Sequence, residues 1–454
     1  MTPIRSILRV VVVNFNGGEM VTACVQSILD QQPVAGVDEL SVVVVDNASS
    51  DGSVEALEEA FGDSILVLRN KVNAGFVAAN VGMLPIDGLP DPHWVALVNP
   101  DATLAAGCLE NLVRTVEADP GIGAASPCML FTHQFVDLTV AASEAAVGGD
   151  PRALAVQLRS VVTDGIERLA QIAAGEGVHG PEEDAHGAFR WLAPVATVGV
   201  PVQRHSEQPT ATIRLWAPDP VTVQVGSQSV EVGPGSRSVT ISLDGAPSDR
   251  IANAGSVVHD DASGADRGHF CEVGSPFDEP DDLFVWCGGG VVLRWDYLRD
   301  VGVFEPSLFL YYEDTDLAWR GAARGWRYRY EPAARMFHVQ GASGGAGSHR
   351  FVIVNTRNRL VVAVRNGSWR VVRRAWFDAL WEIWAALRNR VLVPMLHGRR
   401  PSTQRLGLLL RGTLSAIGAL PGALAARRRL AGRATVGKSE LEVGLVPRQG
   451  RGAN

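Results

Sequence analysis

The sequence predicts an α/β protein: a mixed sheet with helices on both faces, an inserted mainly β module and a helical C-terminal tail. Three observations carry the prediction. Short β-branched apolar runs alternate with segments of helical period over residues 1–130. The rhythm breaks over 131–282, and it resumes over 283–365 before a basic tail at 366–454.

The elements follow in order. "ILRVVVVNFN" (7–16) is an apolar run of the kind that forms a strand buried on both faces, and "GEMVTACVQSILDQ" (18–31) has helical spacing. "LSVVVVDNASSDGS" (40–53) repeats the design, with Asp46-Asn47 at the strand's carboxyl end, then a turn and a helix at 53–61. "SILVLRN" (64–70) is a third strand leading to the helix opened by "NAGFVAANVGM". "HWVALVNPDATL" (93–104) is a fourth, ending in Asn99-Pro100-Asp101. In a parallel sheet, ligands bind beyond the carboxyl ends of the strands. Asn14, Asn16, Asp46, Asn47, Asn73 and Asp101 all fall there.

The insertion reads as helical in part ("EAAVGGDPRALAVQLRSVVTDGIERLAQIAAG"), then as short antiparallel strands over 210–243, and ends in an acidic, flexible link at about 255–282. A strand then leads into Gly288-Gly289-Gly290, where the missing side chains allow close backbone approach. "FLYYEDTDLAWRGAARG" (309–325) sets Phe309, Tyr311 and Tyr312 against Glu313, Asp314 and Asp316, with a helix from about Asp314 to Gly325. A strand and turn carrying His338 follow.

The net charge of −8 argues against nucleic acid as a partner, and the charge is unevenly spread. Residues 244–282 are acid-rich, whereas 366–454 hold sixteen Lys/Arg against four acids, which suggests separate tasks. Five cysteines without a CxxC pair read as buried thiols, and with no secretory signal they point to a reducing cytosol. The tail's two apolar stretches are each interrupted by charge or proline. They suit a helix lying on the inner face of an anionic membrane, or a basic helix packed on the domain.

Together, "VVVVNFN", "VVVVDNASSDGS", "NAGFVAANVG", "LVNPDA", "GGGVVLR", "FLYYEDTDLAWR" and "HVQGAS" resemble the family 2 glycosyltransferases, and among them bacterial rhamnosyltransferase-type members. The resemblance covers roughly 1–130 and 283–365, and rests on the order and spacing of the motifs rather than on any one of them. It implies the GT-A fold, with 1–130 as the nucleotide-sugar-binding half and 283–365 as the acceptor-binding half. It also implies an inverting hexosyltransferase that uses Mg²⁺ or Mn²⁺. The donor it points to first is dTDP-rhamnose, and the acceptor a cell-envelope glycan or lipid-linked intermediate met at the cytoplasmic face.

Residue by residue, the resemblance gives Asp46 to the base of the nucleotide. Asn14, Asn16, Asn47, Asn73, Gly75, Asn80 and Asn99 go to the donor's surroundings. Asp101 matches the last acid of a DxD-type metal motif whose first acid is here Asn99, and His338 matches a further metal ligand. Asp314, with Glu313 beside it, matches the catalytic base. One carboxylate suffices for a single displacement, because the acceptor hydroxyl needs only to lose its proton as it attacks. Gly289, Gly290, Tyr311 and Tyr312 fall on the acceptor side. Read without the resemblance, Asp46 is a turn cap, His338 a structural histidine and the aromatics core. Asp316 reads as an i,i+4 partner of Arg320.

Two other classes compete. A nucleotidyltransferase should carry a basic glycine-rich loop after its first strand, and "NFNGGEM" has no cation. A non-catalytic carbohydrate-binding or scaffold protein fits the insertion and the missing first acid, but has no use for a base at Asp314. The oligomeric state is not written in the sequence.

Overall fold

The structure, a computed structural model, describes residues 5–145, 147, 150–184, 186–339, 348–396, 398 and 400–448. The chain divides into two compact units: one of residues 1–129, 253–268 and 275–448, the other of 130–252 with 269–274.

In the first unit, β1 (Ile7–Asn14), β2 (Glu39–Asp46), β3 (Leu66–Arg69) and β4 (Trp94–Val98) run parallel in the order β4-β1-β2-β3. The links are α1 (Gly18–Leu29), α2 (Ser53–Phe61) and the short α3 (Ala79–Met83). All eight β1 residues are buried, so the run is continuous rather than alternating. Its one cation, Arg9, stays buried because its guanidinium donates to the carbonyls of Gly82, Leu84 and Pro90 at 3.1, 2.9 and 2.9 Å.

Past β4 the sheet becomes antiparallel. The strand Gly290–Arg294 pairs with both β4 and β6 (Ile122–Phe131), and the strands Arg327–His338 and Asp281–Leu283 extend that edge. Between β4 and β6 in the chain, β5 (Ala102–Leu104) pairs with the far end of Arg327–His338, setting His338 opposite Ala102. Helices α4 (Cys108–Glu117), α5 (Trp295–Val301) and α6 (Glu313–Ala322) complete this mixed α/β architecture. The strand expected before the glycine triplet instead starts at Gly290, its last member.

The second unit is mainly β, as expected: two antiparallel sheets share one core that includes Val136, Leu138, Leu158, Val161, Ile213 and Leu215. The partly helical reading of its first part is overturned. Residues Val156–Thr163 form a central strand, and Thr163 pairs with Ile166 across the two-residue turn Asp164-Gly165. Both turn residues have positive φ (52° and 74°), the conformation a tight hairpin requires and an Asp-Gly pair supplies. That dipeptide, flanked by β-branched residues, was the stronger signal.

The acidic stretch 255–282 is likewise no free link. Its strand Ser256–Val258 pairs with Gly264–Asp266, and several of its acids are matched by cations of the first unit. Asp260 meets Arg374 at 2.5 Å, fully buried Asp261 meets Arg448, and Asp282 meets Arg329 at 2.7 Å. The acid-rich and basic segments therefore neutralise one another in part.

The tail is helical: α7 (His349–Asn366), α8 (Trp369–Leu387), α9 (Val393–Leu396) and α10 (Gln404–Ala431). α10 is continuous through Pro421, and by length and composition it is the one helix among the described residues able to cross a membrane. One face of it packs on α7, where a side chain at Gly412 would meet the Ile353 carbonyl at 2.9 Å.

Candidate active site

The parallel register sets Asn14 directly opposite Asp46 at the carboxyl ends of β1 and β2. The fully buried Asn14 amide donates to Asp46 Oδ1 (3.2 Å), Ser49 Oγ (3.1 Å) and Ser53 Oγ (2.9 Å), while its oxygen accepts from the Gly17 N–H (3.1 Å). Asn14 thus clamps the loops and positions Asp46. The Asp46 carboxylate also accepts from the Ser49 N–H at 3.2 Å. Asn16 is exposed at the lip, and its oxygen accepts from the Ser50 N–H at 2.8 Å.

Asn47 joins the next loop. Its amide donates to the Gly75 carbonyl (2.8 Å), and its oxygen accepts from Asn70 Nδ2 (3.0 Å) and the Ala74 N–H (3.3 Å). Asn73 closes a tight turn by accepting from the Gly75 N–H at 2.8 Å. Gly75 has φ +76°, and a Cβ there would lie 2.1 Å from the Phe309 carbonyl oxygen, so this turn is in direct contact with the aromatic loop. Asn80 does not face the donor side freely: both ends of its amide are taken by the Phe304 backbone, each at 2.9 Å. Its work is to fasten the two halves of the unit together.

Beyond β4, the Asn99 N–H donates to the Gly289 carbonyl (3.0 Å), which ties the loop of Asp101 to the glycine triplet. Asp101 Oδ1 and His338 Nε2 lie 3.2 Å apart, and Asn99 Nδ2 is 3.5 Å from the same nitrogen. The motif's first and last members and the histidine therefore converge. Among the described residues no group of three His, Cys, Asp or Glu side chains forms a cage. One carboxylate oxygen and one imidazole nitrogen fit a divalent ion that takes its remaining ligands from water and a diphosphate, as Mg²⁺ and Mn²⁺ do. Residues 340–343 of "HVQGAS" lie outside the described residues.

Asp314 stands in the first turn of α6. Its Oδ2 accepts from the Gly288 N–H (3.0 Å) and its Oδ1 from the Thr315 N–H (2.6 Å) and Oγ1 (3.2 Å). Burial raises its pKa, and these hydrogen bonds oppose the rise. Glu313 is 5% exposed, its Oε2 has no hydrogen-bond partner among the described residues, and burial with the neighbouring Asp314 charge pushes its pKa well up. Asp316 is spent on structure, as expected: buried completely, it binds Arg320 at 2.8 Å and also Arg365 at 2.7 Å and Asn366 at 2.8 Å. Burial would raise its pKa, but the two arginines hold it below the usual range.

The aromatic loop is strained. Phe309, Tyr311 and Tyr312 all have φ between 64° and 70°, which is costly for bulky side chains. Tyr312 is buried, its hydroxyl accepting from the Gly264 N–H at 3.1 Å. The half-buried Tyr311 packs edge-on against Phe351. What holds the loop is Asn358 of α7, whose amide donates to the carbonyls of Leu308 (2.7 Å), Leu310 (3.0 Å) and Tyr311 (2.8 Å). Sequence reasoning missed Asn358 and Thr315, and named Gly288 only as part of the glycine triplet. Only Asn358 left a trace, as an amide beside the apolar run "LVVAV". Of the acceptor-side glycines, Gly289 borders Asn99 and Gly290 is packed against Met336.

Residues 9–133, somewhat over a quarter of the chain, match the family model for glycosyl transferase family 2. That segment carries every residue from Asn14 to Asp101 that the sequence reading expects around a donor. Among curated proteins, none matches the sequence. Solved structures similar at low identity include the following three. GalNAc-T7, determined with UDP, GalNAc and Mn²⁺, is 13% identical (TM-score 0.43; 86% of this chain, 51% of that one). The mannosyltransferase PcManGT from Pyrobaculum calidifontis, in complex with GDP-Man and Mn²⁺, is 15% identical (TM-score 0.41; 95% and 86%). TarS 1–349 from S. aureus is 11% identical (TM-score 0.37; 94% and 92%). The chain thus spans about half the length of the first.

Proposed function

We propose that the protein is an inverting glycosyltransferase that moves a hexose from a nucleotide-diphosphate sugar to an acceptor hydroxyl. The observation that carries the reading is Asp314. A carboxylate with a raised pKa, aimed by the Gly288 and Thr315 N–H groups, opens the helix that follows the loop touching Gly75 of the family-matched segment through Phe309. In this reading Asp46 accepts from the nucleotide base, Asn14 and Asn47 hold its loop, and Asp314 takes the proton of the acceptor hydroxyl as it attacks the anomeric carbon. The donor C–O bond breaks on the opposite face, and its electron pair leaves with the diphosphate. Asp101 and His338 would hold Mg²⁺ or Mn²⁺, which neutralises charge gathering on that leaving group. Glu313, kept neutral, leaves Asp314 as the single base.

The finer reading is rhamnose from dTDP-rhamnose, delivered to a cell-envelope glycan or lipid-linked acceptor at the cytoplasmic membrane face. It is supported by the motif resemblance and by the basic helical tail. Calorimetry of the protein against dTDP-, UDP- and GDP-sugars, with and without Mn²⁺, tests both levels. Metal-dependent binding of one nucleotide class, lost in Asp101→Ala and kept in Asp314→Asn, is the expected result. Absence of binding to every donor overturns the transferase reading in favour of a scaffold.

A further inference from the structure

Helix α8 is apolar on two faces. Its inner face buries Val371, Val372, Ala375 and Ala379. Its outer face exposes Phe377, Leu380, Trp381 and Trp384, each between 47% and 59%, although solvent-facing helical positions are normally polar. These four fall at helical spacing on one stripe, with Arg373 one turn before it and Arg388 one turn after it, both exposed. No acid interrupts the stripe: Asp378 is buried, and Glu382 is paired with Arg359 at 3.2 Å.

We propose that this face of α8 docks the protein on an anionic lipid bilayer, with the tryptophans at headgroup depth and the arginines on lipid phosphates. The chemistry selects the occupant. Indole rings with one apolar and one wet edge suit the membrane interface, and cations at both ends of the stripe match anionic headgroups. A second copy of the chain fits poorly, because a two-fold contact would lay Arg373 of one copy toward the arginines of the other. The helix therefore lies in the plane of the surface and does not span it. This deepens the reading of a lipid-linked acceptor, but its readout needs no sugar transfer, so either reading can fail alone.

The test is flotation of the full-length protein with phosphatidylcholine vesicles, with and without phosphatidylglycerol at about 30 mol %. Binding to the anionic vesicles that weakens at high salt is expected. Leu380→Glu/Trp384→Glu should lower it by about tenfold or more with an unchanged melting temperature, and Arg373→Glu/Arg388→Glu should abolish the preference for anionic lipid. Val195→Glu, a comparably exposed apolar site in the other unit, should bind as the unaltered protein does. Failure to bind any vesicle, or undiminished binding by the double α8 variant, overturns the proposal. So does a dimer in sedimentation that the same variant dissociates.

Discussion

At the scale of single residues, the two adjacent acids of α6 are told apart by their surroundings. Among the described residues Asp314 is served by three hydrogen bonds and Glu313 Oε2 by none, so the negative charge belongs on Asp314. Asp314→Asn should keep donor affinity and lower kcat by ~10²–10⁴-fold in a transfer assay, the usual contribution of a positioned base. Because burial raises the Asp314 pKa, the acid limb of kcat/KM should lie above the ordinary aspartate range, and a limb near pH 4 would count against its role. Glu313 makes a separate prediction about stability. A carboxyl whose folded pKa is raised binds more protons folded than unfolded, so its contribution declines as pH rises from the ordinary glutamate range through the folded value. Glu313→Gln should therefore match the parent near pH 4 and become progressively more stable than it toward pH 8, as read by chemical denaturation at each pH. A constant difference across that range would refute a neutral Glu313.

At the scale of elements, the site depends on a loop that the backbone would not choose alone. Three positive φ angles on Phe309, Tyr311 and Tyr312 cost on the order of 1–3 kcal/mol each, offset by the Asn358 amide and by contact with Gly75. Asn358→Leu leaves three carbonyls without their donor and should destabilise the protein by roughly 1–3 kcal/mol, while lowering kcat more than it raises KM for the donor. Gly75→Ala should be at least as damaging, since it combines a forbidden φ with a 2.1 Å clash. Here the limits of the sequence are physical. The parallel strands were legible because a strand buried on both faces leaves an unbroken apolar run, and the places of Asp46 and Asp101 at the carboxyl ends of β2 and β4 were legible because those runs end there. The loop's strain and the role of Asn358 were not, since they arise from a contact spanning some fifty residues of chain. The tie made by Asn80 was hidden for the same reason: its partner, Phe304, lies over two hundred residues away.

At the scale of the whole molecule, the chain is a mixed α/β unit interrupted in sequence by a module with its own core. The module's β character was visible in the alternation over 210–243, whereas its first strands were masked by a composition that also suits helices. The acidic stretch misled differently: charge density suggested solvent, but its partners are arginines supplied by the tail and by Arg329. The module's topology yields a last prediction. Phe135 and Ser248, near its two ends, are bridged by a mutual pair of 2.9 Å backbone hydrogen bonds, so the chain leaves where it arrived. The core of Val136, Leu158, Ile213 and their neighbours closes within the module itself. A short Gly-Ser turn replacing 136–247 should therefore leave a protein that folds cooperatively and binds its nucleotide sugar within about threefold of the full chain, because such an exchange removes no donor-side residue. If donor affinity survives and transfer to the natural acceptor is lost, the module serves acceptor recognition. If donor binding itself collapses while the melting transition persists, the module contributes to the donor site, and the assignment of that site to residues 14–101 is incomplete.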